Sequence, residues 1–166
     1  MLVKLVRRIR RNHALEHATI NLLGRLQSDS QTVGISGPRG FTLYTDLTIE
    51  EVYPAVQQAL AALQQGRAEL AIHPNCGTNL LTTALLTTIT TVLGLRRKQE
   101  QKSDRVENFL QLVLLNALML VLARPMGFWV QANLTVDPRV QDLKISAILS
   151  RQRGRLQCIE VQTVQG

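Results

Sequence analysis

The chain has only three histidines, and they fall in two short motifs. His-Ala-Leu-Glu-His occupies residues 13–17, and His-Pro-Asn-Cys occupies residues 73–76. On a helix, separations of three and four residues bring His13, Glu16 and His17 onto one face. Two imidazoles one turn apart can share a divalent ion, and a carboxylate beside them can act as base toward metal-bound water or orient a ligand. His73 and Cys76, in a turn after an expected strand, would complete a four-ligand set. Zinc suits imidazole and thiolate and needs no redox chemistry. Four protein ligands would make the site structural, whereas three plus water, with Glu16 as the catalytic base, would permit hydrolysis. Other readings stand beside these. The histidines can bond backbone or Glu16 in the domain interior, with Cys76 a small buried residue. Residues 76–79 can also simply cap the helix that follows, Thr78 and Asn79 closing its free amides. Asp137 and Asp142 read as turn and surface residues, and Lys144 as strand surface.

Several elements must position these groups. Apolar residues Leu15, Ile20, Leu22, Leu23 and Leu26 recur at helical spacings, so a helix is expected across about 13–27 with Asn12 at its cap. Leu2, Val3, Leu5, Val6 and Ile9 lie among cations, which fits either a basic amphipathic helix on a membrane surface or a first turn packed on the domain. The Gly34, Gly37, Pro38 and Gly40 cluster between Thr32-Val33 and Phe41-Thr42-Leu43-Tyr44 reads as a β-hairpin. Thr48 and Glu51 form a capping-box signature ahead of a helix at 49–65 that ends at Gly66. Residues 68–73 read as a strand ended by Pro74. Residues 140–149 and 156–164 read as a closing hairpin, with Ser150 to Gly154 as its turn.

Between these parts lie two long apolar stretches. Cys76 to Leu95 carries no charge, and six threonines fall between Thr82 and Thr91. Their hydroxyls can bond the carbonyl one turn back, which makes them tolerable in lipid. Phe109 to Ala123 is also uncharged and continues past Arg124 and Pro125 to Val130. About 20 residues are needed to cross a bilayer, so each stretch reaches that length with its flanks. Arg124 must snorkel, pair or mark the end of its span. The alternative is a buried helical hairpin in a soluble protein.

A chain of 166 residues supports one domain with a real core. Its net charge of +7 gathers at Lys4, Arg7, Arg8, Arg10 and Arg11 and again at Arg96, Arg97, Lys98, Lys102 and Arg105. Beside two apolar spans these clusters point to anionic headgroups, and no nucleic-acid partner is expected. Cys76 and Cys158 make no disulfide framework. The N-terminus lacks an uninterrupted apolar run and a cleavage site, so no removable signal peptide is expected.

The His-x-x-Glu-His run resembles the signature of the inverted zincin peptidases, a likeness covering residues 13–17. It implies zinc ligation by His13 and His17, with Glu16 as general base. A longer likeness rests on Asn-His-Ala-Leu-Glu-His-Ala-Thr at 12–19, the Gly40-Phe41 turn, and His-Pro-Asn-Cys-Gly-Thr-Asn at 73–79 followed by two apolar spans. Across about residues 11–165 the chain is similar to a family of uncharacterised bacterial membrane proteins of cyanobacterial type. That resemblance implies membrane residence and shared histidine motifs, and it brings no reaction.

The expected architecture is α+β: a small mixed sheet with two soluble helices, interrupted by a transmembrane helical hairpin. Residues 1–76 and 133–166 would form the two parts of the α+β domain, and residues 77–132 the hairpin with a basic loop at 96–108. The expected function is that of an integral-membrane accessory protein. It would hold a metal or polar site of His13, Glu16, His17, His73 and Cys76 at the membrane surface. A membrane-bound zinc hydrolase and a docking factor for a larger membrane complex are the alternatives. Orientation is contested within the sequence. The cations at 96–105 argue for a cytoplasmic loop. Translocating 76 residues with five cations near their start is difficult, which favours a cytoplasmic soluble domain instead.

Overall fold

The structure, a computed structural model, describes residues 2–27, 29–99 and 105–165. Residues 100–104 of the expected basic loop, Lys102 among them, lie outside the described residues, as do the side chains of Arg97 and Lys98. The fold is α+β and divides into two compact units, Met1–His73 with Ala132–Gly166, and Pro74–Gln131.

In the first unit a single helix, α1 (Leu2–Leu26), replaces the expected break at Asn12. Leu2, Val6, Ile9 and His13 follow steps of four, three and four, so the amphipathic segment and the histidine segment continue one another. Asn12 is no cap. It sits fully buried in mid-helix, its amide donating to the Gly37 carbonyl at 2.8 Å and its carbonyl accepting from the Thr163 hydroxyl at 2.7 Å.

Strands β1 (Thr32–Gly37) and β2 (Gly40–Thr45) form the expected hairpin. Gly40 has φ +146°, and a side chain there would run into the Val161 carbonyl, which restricts the position to glycine. Helix α2 (Ile49–Gln64) starts at the expected capping box, the Thr48 amide donating to the Glu51 carboxylate at 2.8 Å. Strands β3 (Leu143–Arg153) and β4 (Leu156–Gln165) complete the sheet in the order β1-β2-β4-β3. Every pairing is antiparallel, where a mixed sheet was expected. β4 pairs with β2, Phe41 opposite Val161 and Leu43 opposite Ile159, so the chain before the apolar stretches shares a sheet with the chain after them. These four side chains are buried and form a common core with Leu15, Ala18, Val52, Val56 and Leu63 of the two helices.

The segment expected as a strand at 68–73 is instead a 3-10 turn, Ala68–Ala71. Leu70 and Ala71 are buried, but the neighbouring carbonyls find partners on helix side chains rather than on a strand. Asn21 donates to the carbonyls of Leu70 and Ile72 at 2.9 Å each, and His17 takes that of Ala71. The backbone accounting closes without a ladder.

The second unit consists of α3 (Gly77–Gln99) and α4 (Arg105–Val130), packed on each other; a π-helical turn spans Gln131–Thr135 at the border with the first unit. Both helices are long and apolar enough to cross a membrane, and only 6% of the most apolar window of each is buried. The hydroxyls of Thr82, Thr83 and Thr87 bond carbonyls one turn back, as lipid would require. Gly94 lets Leu112 approach, the Asn116 amide donates to the Thr91 hydroxyl at 3.1 Å, and Asn79 lies against Gly127. Partner numbers rise on α3 as they fall on α4, so the pair is antiparallel.

Candidate metal centre

Residues Arg11 to Thr19 of α1 run through the interior of the first unit, with only His13 partly exposed. Burying so polar a stretch requires a partner for each group. The two helix histidines find theirs in backbone carbonyls. His13 Nδ1 lies 3.0 Å from the Thr135 carbonyl and His17 Nδ1 lies 2.7 Å from that of Ala71. A carbonyl only accepts, so in each ring Nδ1 carries the hydrogen and donates it. The lone pair of each neutral imidazole then resides on Nε2. This arrangement, a backbone oxygen fixing the tautomer from behind, is the support that ligand histidines ordinarily have.

The rings stand together. His13 and His17 have centroids 4.2 Å apart in an edge-to-face arrangement, and His73 brings its ring to 5.7 Å from that of His17. The 3-10 turn accomplishes this, because Asn21 and His17 hold the carbonyls of residues 70–72 against α1 and the next residue is His73.

Glu16 has a different neighbourhood. Its carboxylate accepts a short hydrogen bond from the Ser36 hydroxyl and lies over Gly34, both on β1. Gly34 leaves room for it, since a side chain at that position would occupy the space of the carboxylate.

Cys76 belongs to the second unit, three residues after His73. Those three residues reach at most about 11 Å. Cys76 precedes α3, and its sulfur accepts from the Thr78 amide at 3.4 Å while its carbonyl accepts from the Asn79 amide at 2.9 Å. Cys76 itself thus does the capping expected of Thr78 and Asn79, and the Asn79 side chain instead donates to the Pro74 carbonyl at 2.7 Å. His13, His17 and Cys76 offer two imidazoles and a cysteine sulfur, a group that could hold a metal ion. A cleft of about 470 Å³ in the second unit is lined by Cys76, Asn75, Asn79 and Arg124 among others. Arg124 is exposed, with its guanidinium 6.0 Å from the centre of the Phe128 ring.

Arginines of α1 hold the segment after α4. Arg10 donates to the carbonyls of Asn133 and Val136, at 2.9 Å each, and its own carbonyl accepts from the Asp137 amide. Asp137, expected at a surface turn, is buried, with Arg139 at 2.8 Å and Arg7 at 3.9 Å. Burial works to raise its pKa, but the hydrogen bonds and charge of Arg139, with Arg11 beyond, hold it below the ordinary carboxylate value. Asp142 is lowered chiefly by its hydrogen bond to Arg11, at 3.0 Å. Lys144 lies exposed on β3, as expected. Sequence reasoning missed Asn21, Ser36, Thr135 and Ala71, and the last two act through backbone oxygens that no side-chain pattern reveals.

The chain belongs to a family defined by a domain of unknown function, DUF6391, whose model matches residues 8–148. An uncharacterised protein of a Picosynechococcus species is 40% identical over 88 residues, 48% of this chain and 43% of that relative. The match spans less than half the length of that curated relative. No solved structure matches the chain. An uncharacterised family with a cyanobacterial member is therefore established, and it carries no assigned reaction.

Proposed function

We propose that this chain is an integral-membrane accessory protein with a metal site at the membrane surface, with His13, His17, His73 and Cys76 as ligands. One observation carries the reading: the two helix imidazoles are each fixed by a backbone carbonyl at Nδ1, side by side, with Nε2 as the remaining donor atom. Adjacent rings of the same tautomer, both supported from behind, are what a shared ion requires. His73 beside them and Cys76 a short reach further supply the third and fourth donors. Zinc fits this nitrogen and sulfur set, and with four protein ligands it supplies a cross-link rather than a reaction.

A second reading, a zinc-dependent hydrolase, keeps Glu16 as base and leaves one coordination position to water. The Ser36 hydroxyl on the Glu16 carboxylate favours a supporting role for Glu16 instead. Metal analysis of the full chain, extracted in detergent without chelator and incubated with zinc, tests the site that both readings share. The expected result is one equivalent in the natural chain, loss of most of it in His17→Ala, and retention in Glu16→Gln. Full occupancy in His17→Ala, or none in the natural chain, overturns the site. Carbonate washing of membranes tests residence, and release of the chain into the supernatant overturns that half of the reading.

A further inference from the structure

We propose that the first turns of α1, Leu2 to Ile9, lie in the headgroup layer of an anionic bilayer as an in-plane helix. This rests on the membrane reading above and adds to it a second, lipid-selective contact. Leu2 and Val3 are 73% and 81% exposed, and Leu5 and Val6 are also exposed. Leu2, Leu5, Val6 and Ile9 share one side of the helix, while Lys4, Arg7, Arg8 and Arg11 share the other. An apolar stripe opposite a cationic one, left open to solvent at its start, is the pattern of a helix that lies on a membrane surface.

The position of the stripe identifies the occupant. Leu2, Val6, Ile9 and His13 form one line along α1, and at its far end His13 donates to the Thr135 carbonyl. Thr135 is the last residue of the second stretch long and apolar enough to cross a membrane. Arg10 grips the same segment at Asn133 and Val136. The open apolar line therefore runs along the side of α1 that meets residues 133–136, about 16 Å of helix from His13 to Leu2. Lys4, exposed, and Arg8 supply the charge that selects acidic phospholipid over a neutral surface.

Hydrogen exchange of the full chain in nanodiscs tests this. Amides of residues 2–9 should exchange about tenfold more slowly in discs containing phosphatidylglycerol than in discs of phosphatidylcholine alone, the scale expected of one or two cations at an anionic surface. Lys4→Glu should remove most of that difference, and Leu2→Glu should speed exchange in both lipids; neither side chain is buried, so both variants should fold. Equal exchange in the two lipids overturns the proposal. So does protection that rises only with the number of chains per disc, which would assign the stripe to a second copy. A chain that does not enter discs overturns the membrane reading itself, whereas one that enters and shows no lipid dependence overturns only this contact.

Discussion

The buried middle of α1 and the exposed faces of α3 and α4 invert each other. In the first, Asn12, Glu16, His17 and Thr19 are polar and nearly inaccessible, and each has a hydrogen-bond partner. In the second, leucines such as Leu114, Leu118 and Leu122 are exposed along a helix in which few residues are buried. Water penalises both arrangements unless something compensates. In α1 the compensation is hydrogen bonding within the unit, which reaches these four side chains and leaves Arg11 Nε without a partner. In the helical hairpin it must come from outside, and on the function proposed above a bilayer would supply it.

The contrast can be broken most sharply by placing charge on each region. Leu118→Arg, at an exposed position of α4, should cost about 3 kcal/mol for insertion of the span. Val33→Arg, as exposed on β1, should change stability by less than about 0.5 kcal/mol. Membrane yield and detergent-melting curves read the two effects. Similar small effects at both positions would place α4 in water. Next in size is Asn12→Ala, which leaves the Gly37 carbonyl and the Thr163 hydroxyl without their buried partner. A loss of about 2 kcal/mol or more in denaturant unfolding is expected. An effect under about 0.5 kcal/mol would show that the site relaxes or admits water.

The smallest effect is a pH dependence of the first unit. Asp137 has a folded pKa below its ordinary value, so its contribution is present in full above that ordinary value and is lost as pH falls through the lowered one. Unfolding midpoints should fall on acidification below about pH 4. Asp137→Asn should flatten that part of the curve, and an unchanged acid slope in the variant would assign it to other carboxylates.

What could be read in the sequence follows the same division. The apolar stretches, the Thr48–Glu51 box and the glycine-bounded hairpin depend on neighbours in sequence, and each lies where it was expected. Residues 68–73 failed because so short an apolar run fits a strand as well as a 3-10 turn; Asn21 and His17, about fifty residues away, decide between them. Asn12 looked like a cap because its partners lie on two different strands. Ser150 to Arg153 read as a turn from their polarity, yet they extend β3 opposite Ile159, Cys158, Gln157 and Leu156. The three histidines were legible as candidates by type and spacing. The carbonyls that set the tautomers of His13 and His17 were not.

The metal site is tested most directly by cobalt(II) titration of the full chain, followed in visible absorption. One equivalent should bind, with the intense bands of a tetrahedral site and a thiolate-to-metal charge-transfer band that disappears in Cys76→Ser, while His17→Ala should abolish binding. A weak octahedral spectrum, or one indifferent to both substitutions, would contradict a histidine and cysteine site and leave these residues a purely structural role.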